Sequence, residues 1–290
     1  MAGQINTTSN PSKLRRIQGE LPAGLLAPAS WLNERGYYRQ LLDHYVSSGW
    51  LESPARGVYR RPGSPIKWQH IVVSLLLTER LPLHIGGGTA LEHAGFGHYA
   101  RMRGAETVKL FGPVGLPAWV RAMPVPEKFV MRNDAMFHAL PVPRVELDAD
   151  GNPQANQQRV SDGVLADNGL RITRWGESDW PLVYSTDERA ILEMLQEVPK
   201  GESVYPAHVM LQGMVNVHPA RMSLLLRHCG SIKVKRLFLA LAERHHHAWF
   251  AHLDLTGVDL GTGKRALYAG GKLDSKYQIT LPADLDDHAR

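Results

Sequence analysis

Two side chains that can read DNA bases, Arg39 and Gln40, open a predicted helix over about 38–48, and His44 follows one turn later. Apolar residues in this helix recur at a spacing that predicts one buried stripe: Leu41, Leu42, Tyr45 and Val46. The polar residues then share the opposite face: Arg39, Gln40, Asp43, His44 and Ser47. Guanidinium and amide groups on such a face can donate hydrogen bonds to base edges in the major groove. Tyr38, at the start of the helix, is a further candidate contact.

The segments on either side would position this helix. A preceding helix over about 29–35 has Ser30 as its predicted N-cap and ends at Gly36, the residue that a tight turn between helices prefers. After the second helix, two short extended segments joined by a turn at residues 56–57 predict a basic β-hairpin. Together these elements predict a winged helix-turn-helix domain over 12–64.

Arginines in this domain could hold phosphates while the helix reads bases. The candidates lie in the hairpin and in a first helix over about 12–22: Arg56, Arg60, Arg61, Arg15 and Arg16. For Arg15 and Arg16, contact with phosphates and simple solvation remain equally open. A different interpretation of the whole segment also stays open, because helix pairs followed by hairpins occur in proteins that never bind DNA. In that case the polar face is only solvated.

Three blocks of the chain carry a resemblance that covers nearly everything from about Ser12: SGWLESPARGVYRRPG, LPLHIGGGTALEHAGFGHY and RLFLALAERHHHAWFAHLDLTGVDLGTGKRALYAGGKLDSKYQITLP. They are similar to the AbiEi-family antitoxins of type IV toxin-antitoxin systems. The resemblance implies an N-terminal winged helix that represses its own operon by binding inverted repeats in double-stranded DNA. It also implies a C-terminal domain that neutralises a nucleotidyltransferase-like toxin. Inverted repeats suggest two molecules on each operator, even for a protein that is monomeric in solution.

Composition and charge set the broad class. A chain of 290 residues with 43% hydrophobic content is long enough for two domains, and no apolar run reaches the length of a membrane span. The first twelve residues lack the apolar core of a signal peptide, and a single cysteine forms no internal disulfide, so the sequence predicts a cytoplasmic protein with no membrane partner. Residues 11–80 hold ten Lys/Arg against five Asp/Glu, whereas residues 140–200 hold six against eleven. The basic excess therefore accompanies the predicted winged helix.

The predicted fold class is α+β, with a larger mixed α/β domain over 65–290 after the winged helix. Its strand-rich part covers about 80–180, with an exposed polar loop over 148–163, and its helical part covers about 185–250. Ser185 and Glu188 match a capping box, and two strands are predicted over 265–269 and 277–281 within a terminal pair at about 264–281. The apolar helix after residue 67 is assigned to this second domain; alternatively, it closes the winged helix.

A glycine turn at Gly86, Gly87 and Gly88 raises an enzymatic alternative, because polymerase-β-type nucleotidyltransferases begin their active site with a similar loop. That chemistry needs metal-binding carboxylates close downstream, and the next acids after Glu92 form no such pair. The sequence therefore predicts a structural loop and no catalytic residue. A third hypothesis is a winged-helix regulator whose second domain binds a small molecule, although no pocket signature is recognisable.

Several other motifs have simpler explanations than a functional site. Adjacent imidazoles at His245, His246 and His247 point about 100° apart on a helix, so a zinc site is not predicted. Residues 261–264 lack the full spacing of a phosphate-binding loop, so no cofactor is predicted. The remaining residues are predicted to be structural or solvated: Cys229 as a buried thiol, Arg189 in surface ion pairs, and Lys233, Lys235 and Arg236 on a solvated helix face rather than a second nucleic-acid surface.

Overall fold

The computed structural model describes residues 11–96, 107–140, 142, 144–147, 153–155 and 162–285. Within these ranges the chain forms two compact units. The first contains residues 11–81 and 116–128. The second contains residues 82–96, 107–115 and the described residues from 129 to 285. This division, together with mixed helices and strands, confirms the α+β class with a smaller N-terminal and a larger C-terminal domain.

The first unit consists of four helices and a three-stranded antiparallel sheet. The helices are α1 (Pro11–Glu20), α2 (Ala29–Glu34), α3 (Arg39–Ser47) and α4 (Trp68–Leu77). The strands are β1 (Ala27–Pro28), β2 (Glu52–Ala55) and β3 (Val58–Arg60), in the order β1-β3-β2. Three helices followed by a β2–β3 hairpin make the winged helix-turn-helix arrangement. The short strand β1, which pairs with the wing, was not predicted.

The turn between α2 and α3 has the predicted geometry. Gly36 follows α2 with φ of 84°, a conformation in which side chains with a Cβ are strained. The start of α2 differs from the prediction, because Pro28 precedes the helix and no side chain caps it; Ser30 lies inside the helix and is exposed. Tyr37, buried between the two helices, donates a hydrogen bond from its hydroxyl to Glu20 Oε2 at 2.9 Å.

Helix α4 belongs to the first unit by its contacts, as in the alternative in which it closes the winged helix. All its residues from Ile71 to Leu77 are buried. Leu26 donates its backbone N–H to Ser74 Oγ at 2.8 Å, and Thr78 Oγ1 donates to the Leu26 carbonyl at 3.1 Å. The chain later returns to this unit through residues 116–128, which were also expected in the second domain. There Trp119 Nε1 donates to Glu79 Oε1 at 2.8 Å.

The second unit is built on a mixed five-stranded sheet in the order β6-β5-β4-β10-β9. Its strands are β4 (His84–Ile85), β5 (Thr107–Phe111), β6 (Lys128–Arg132), β9 (Leu170–Trp175) and β10 (Trp180–Ser185). Strands β4 and β10 run parallel, whereas β4 with β5 and β10 with β9 are antiparallel. Two further pairs are β7 (Val145–Leu147) with β8 (Pro153–Ala155), and β11 (Lys272–Asp274) with β12 (Ile279–Leu281).

Helices cover this sheet and form the larger core. They are α5 (Gly87–His93), α6 (Asp162–Asp167), α7 (Asp187–Glu197), α8 (Val204–Gly213), α9 (Pro219–His228) and α10 (Ile232–Arg244). Helix α7 is central, because α5, α8, α9 and α10 all pack against it. Its residues from Glu188 to Leu195 are buried, including charged ones. A helix buried on all sides must satisfy those charges within the protein.

Three local predictions in the second unit were wrong. No strand forms over 265–269: β12 pairs with β11, and Arg265 joins β12 only through an isolated bridge to Ile279. The loop expected over 148–163 contains strand β8, with α6 beginning at Asp162; residues 148–152 and 156–161 lie outside the described part of the chain. The capping box before α7 does not form, because Ser185 Oγ donates to Glu193 instead.

Candidate nucleic-acid interface

The exposed face of α3 has the polar composition that its spacing predicts. The Arg39 side chain is 91% exposed, Gln40 is exposed beside it, and the Asp43 side chain is 64% exposed. His44 is only half-buried, with its ring 6.1 Å from that of Tyr45. The opposite face is fixed in the core by Leu41, Leu42 and Tyr45. The helix therefore presents a guanidinium, an amide and a carboxylate outward from a rigid support.

The start of α1 lies beside the start of α3. Tyr38 immediately precedes α3 and is 53% exposed. Lys13 Nζ lies 5.3 Å from the centre of the Tyr38 ring and donates to the Gly36 carbonyl at 3.4 Å. Arg15 is exposed on α1, whereas Arg16 Nε donates to Glu20 Oε1 at 2.7 Å. Both α1 arginines remain partly or fully accessible, so the structure leaves both predicted roles open.

The wing places its three arginines in different environments. Arg56 lies at the tip of the hairpin and is exposed, next to Gly57 with φ of 74°. The Arg60 side chain is only 9% exposed; its guanidinium donates to Glu52 Oε2 at 2.7 Å and to the Ser64 carbonyl at 2.9 Å. Arg61 donates to the Gln18 carbonyl at 3.1 Å. The Arg60 side chain therefore lies inside the wing, paired with a Glu52 side chain that is 44% exposed, and this position does not support the predicted phosphate contact.

The wing and the exposed face of α3 are electrostatic neighbours. Burial raises the pKa of Tyr59 in β3; Asp43 raises that pKa further, and Arg39 lowers it. Both α3 charges therefore lie close enough to act on a wing residue. Sequence reasoning did not single out Asp43 as a candidate contact, although its spacing from Arg39 placed it on the same face. Trp50, which is 48% exposed just before the wing, was likewise not singled out.

The glycine turn of the second unit holds a carboxylate from the same chain. Glu193 Oε2 accepts hydrogen bonds from the Gly87 backbone N–H at 3.0 Å and from Ser185 Oγ at 2.7 Å. Glu193 Oε1 lies 2.7 Å from His84 Nε2 and accepts from Arg189 Nε at 2.9 Å. Gly86 has no room for a side chain, because a Cβ there would lie 2.2 Å from Glu193 Oε2.

This network gives Gly86 and Gly87 a role that needs no nucleotide. Burial alone would raise the pKa of Glu193, but His84, Arg189 and Ser185 lower it to about 2, so the carboxylate is charged. It lies where an anion would bind at the N-terminus of α5. Arg189 is fully buried over the Phe137 ring, so its predicted surface pairing was wrong. The loop therefore has the structural role that the sequence predicted.

The histidines that follow α10 form hydrogen bonds with backbone carbonyl groups near the end of α8. His245 Nε2 lies 3.0 Å from the His208 carbonyl, and His247 Nε2 lies 2.8 Å from the Leu211 carbonyl. Trp249 Nε1 donates to the Met214 carbonyl at 2.8 Å. Burial, together with the neighbouring imidazoles, lowers the pKa of His245 to about 4. Among the described residues, no group of three His, Cys, Asp or Glu could hold a metal ion.

The basic start of α10 is buried, so its predicted solvated face was wrong. Lys235 and Arg236 are each 3% exposed. Arg236 donates to the carbonyls of Leu260 and Gly263, both at 2.6 Å. These hydrogen bonds fix the segment around residues 261–264, which has part of the spacing of a phosphate-binding loop. Lys233 donates to two carbonyls at the end of α7. Burial raises the pKa of the Cys229 thiol, which fits the predicted structural role.

An open cleft of about 430 Å³ is the cavity that bears on the small-molecule hypothesis. Its lining consists of Ala135, Met136, Gln196, Gly230, Ser231, Ile232 and Arg265. No feature of this lining selects a ligand class. Within the described part of the chain, no helix combines the length and apolar composition needed to cross a membrane.

Comparison with known proteins identifies the family. Residues 10–102 match the model of the AbiEi antitoxin N-terminal domain of transcriptional regulators, and residues 105–282 match that of the AbiEi antitoxin transcriptional regulators of type IV toxin-antitoxin systems. No curated protein matches the sequence. The crystal structure of the RV2827C protein from Mycobacterium tuberculosis is similar in fold, with a TM-score of 0.51 at 15% identity over 92% of this chain and 88% of that one. The chain therefore belongs to the AbiEi antitoxin family of transcriptional regulators in type IV toxin-antitoxin systems, as the resemblance implied.

Proposed function

We propose that this protein is a non-catalytic autorepressor and antitoxin that acts in the cytoplasm. Its first unit binds inverted repeats in the double-stranded DNA upstream of its own operon, and its second unit neutralises a nucleotidyltransferase-like toxin. The observation that carries the DNA-binding half is the face of α3, where Arg39 and Gln40 point outward while Leu41 and Leu42 anchor the helix in the core. This arrangement presents base-reading donors on a rigid support.

The distribution of charge supports the same unit. Residues 11–81 and 116–128 contain twelve Lys/Arg against six Asp/Glu, whereas the rest of the chain contains 21 against 22. A net positive unit attracts the phosphate backbone and releases counterions on binding. The first unit therefore supplies affinity for DNA in general, and α3 supplies the preference among sequences.

Each candidate side chain has a role in this proposal. Arg39 reads a guanine and Gln40 an adenine, because their bidentate donors match the major-groove edges of those bases. The supporting contacts come from accessible residues around α3: Arg56 at the wing tip, Arg61, Arg15, Arg16, Tyr38 and His44. Arg60 acts indirectly, because its ion pair with Glu52 fixes the shape of the wing.

Fluorescence anisotropy with the native upstream duplex and a scrambled duplex tests these roles. Arg39→Ala should weaken native binding about 5-fold to 150-fold and leave scrambled binding much less affected, because one base contact is lost. Arg56→Ala should weaken both duplexes alike and reduce the slope of log affinity against log salt by about 0.9, because one phosphate contact is lost. Lys200→Ala is the matched control, since Lys200 is exposed in the second unit.

Unchanged native affinity in Arg39→Ala would contradict the assigned recognition face. Equal affinity of the intact protein for native and scrambled duplexes would contradict the repressor function itself. Light scattering of the free protein and of its DNA complex measures the number of copies. We expect one copy in solution and two on a duplex that carries both repeats, because each winged helix reads one half-site.

The antitoxin half rests on family membership and is tested separately. Co-expression with the neighbouring nucleotidyltransferase-like toxin should restore growth. The double variant Arg39→Ala/Arg56→Ala should still restore it when expressed from an unrelated promoter, because both substitutions lie in the DNA-binding unit. Loss of rescue in that variant would show that neutralisation depends on DNA binding.

A further inference from the structure

We propose that Asp43 is a specificity-determining residue of the DNA interface, and that its carboxylate accepts a hydrogen bond from the exocyclic amine of a cytosine. The inference rests on the proposed function, since it applies only to a protein that binds DNA through α3. Asp43 would add a negative charge to the base-reading residues. This charge lowers the affinity for DNA in general, whereas the arginines raise it.

Asp43 lies at the centre of the exposed face of α3. It follows Arg39 by one helical turn and Gln40 by three residues, and it precedes Ser47 by one turn. Residues three and four apart are neighbours on a helix surface. Any duplex that contacts both Arg39 and Ser47 therefore lies against Asp43 as well.

The Asp43 carboxylate is available to a DNA donor. Its side chain is 64% exposed, and the nearest cation, Arg39 Nε, lies 3.9 Å from Oδ2. That distance exceeds a normal hydrogen bond. Among the described residues no hydrogen bond to this carboxylate is formed, although the neighbouring Tyr59 senses its charge.

A carboxylate at this position carries a cost on most DNA sequences. It repels the phosphates, and it also repels the acceptor atoms that guanine and thymine present in the major groove. Cytosine offsets this cost, because its N4 amine donates a hydrogen bond and carboxylates are its usual partners. A charge that is tolerated on one sequence and repelled by others discriminates between them. Asp43 therefore lowers affinity for DNA in general while raising preference for the operator.

The spacing along α3 predicts where the cytosine lies. Four residues of helix correspond to about 6 Å of rise. Successive base pairs are about 3.4 Å apart. The cytosine read by Asp43 should therefore fall within about two base pairs of the guanine read by Arg39.

The test is a base-pair profile of the native upstream duplex, in which each pair is changed singly and affinity is measured by fluorescence anisotropy. In the intact protein, changing the predicted cytosine should cost about 5-fold to 150-fold. In Asp43→Ala, which removes both the charge and the acceptor oxygens, that cost should fall to about 2-fold or less, and scrambled DNA should bind several-fold more tightly because a repulsive charge is removed. Asp43→Glu keeps the charge and should retain a preference for cytosine at that pair.

Glu177→Gln is the matched control, because Glu177 is exposed in the turn between β9 and β10 of the second unit and the same charge is removed. Its profile should equal that of the intact protein. A profile for Asp43→Ala that runs parallel to the intact protein at every base pair would overturn the inference, since Asp43 would then only partner Arg39. If the intact protein fails to distinguish native from scrambled DNA, the proposed function fails first and the inference falls with it.

Discussion

At the residue scale, Glu193 is a buried charge at the centre of a hydrogen-bond network in the second unit. It is 2% exposed and is surrounded by Gly87, Ser185, His84 and Arg189. Taking a carboxylate out of water costs several kcal/mol, and only good hydrogen bonds and an opposite charge repay that cost. Removing the carboxylate leaves the Arg189 charge buried and unpaired. This destabilises a protein more than replacing both residues of the pair with apolar side chains.

We therefore expect Glu193→Ala to lower the free energy of unfolding by about 3–5 kcal/mol. Glu193→Gln should also destabilise, because an amide keeps the volume but presents N–H donors to groups that are donors themselves. Urea unfolding followed by circular dichroism measures the difference, with Glu177→Gln as the control. Midpoints for Glu193→Ala that equal those of the intact protein would show that the network contributes little stability.

Burial of charged residues is what the sequence predicted least well. Arg189 is followed by Glu193 at a spacing that also occurs on exposed helices, so the pattern indicated a surface pair. Its burial depends on distant parts of the chain, because the guanidinium also donates to the carbonyls of Asn168 and Leu140. The burial of Arg60 was likewise not predicted; its guanidinium donates to Glu52 Oε2 and to the Ser64 carbonyl within the same hairpin region.

At the element scale, the turn before α5 can be tested with two neighbouring glycines. Gly86 has an ordinary negative φ of −140°, so its constraint is steric. A Cβ there would lie 2.2 Å from Glu193 Oε2 and 2.6 Å from Phe111 Cδ2. Gly88, two residues later, has no atom within 4 Å of the corresponding Cβ position. Substitution at Gly86 therefore measures the effect of close packing, whereas substitution at Gly88 measures the effect of glycine on helix stability.

Gly86→Ala should destabilise the protein by about 1–3 kcal/mol or more, because an added methyl group displaces a packed core and its buried carboxylate. Gly88→Ala should leave stability unchanged or raise it by about 0.5–1 kcal/mol, because alanine loses less backbone entropy in a helix. Thermal unfolding of the two variants under one set of conditions gives the comparison. A Gly86→Ala variant as stable as the intact protein would mean that the turn tolerates a side chain at this position.

Elements with a strong period were predicted well, and elements defined by distant pairing were not. The helices α1 and α3 lie close to their predicted positions, and α8, α9 and α10 all fall in the predicted helical part, because apolar spacing within one segment determines them. Strand β1 has two residues and exists only through its pairing with β3, about thirty residues later. The strand expected over 265–269 had suitable residues, but β12 pairs with β11 instead. In the candidate site, residue spacing predicted which side chains of α3 are exposed. It could not show that Arg60 and Arg61 donate hydrogen bonds within the protein while Arg56 is exposed at the tip of the wing.

At the scale of the whole molecule, three histidines that are fully or partly shielded from water make stability depend on pH. Burial lowers the pKa of His84, His93 and His245, so each stays neutral in the folded chain at pH values where the unfolded chain binds a proton. The stability that these groups contribute is present above an ordinary histidine pKa of about 6.5 and is lost as pH falls below it. Glu193 acts at lower pH, because its contribution is present above about 4.5 and is lost as pH falls toward 2.

His245 offers the clearest test, since its pKa of about 4 in the folded chain defines the window. Between pH 6.5 and 4, the unfolded chain takes up a proton at this position and the folded chain does not, so the free energy of unfolding falls with pH. His208, His247 and Arg244 surround the ring and oppose a further positive charge there.

His245→Gln removes the titrating group and should flatten this part of the profile of unfolding free energy against pH, although it lowers stability at pH 7 through lost packing. Urea unfolding at pH 7.5, 6.0 and 5.0 measures the slope, with His228→Gln on the exposed face of α9 as the control. A slope for His245→Gln as steep as that of the intact protein would mean that the decline comes from His84 and His93, whose pKa values are also lowered.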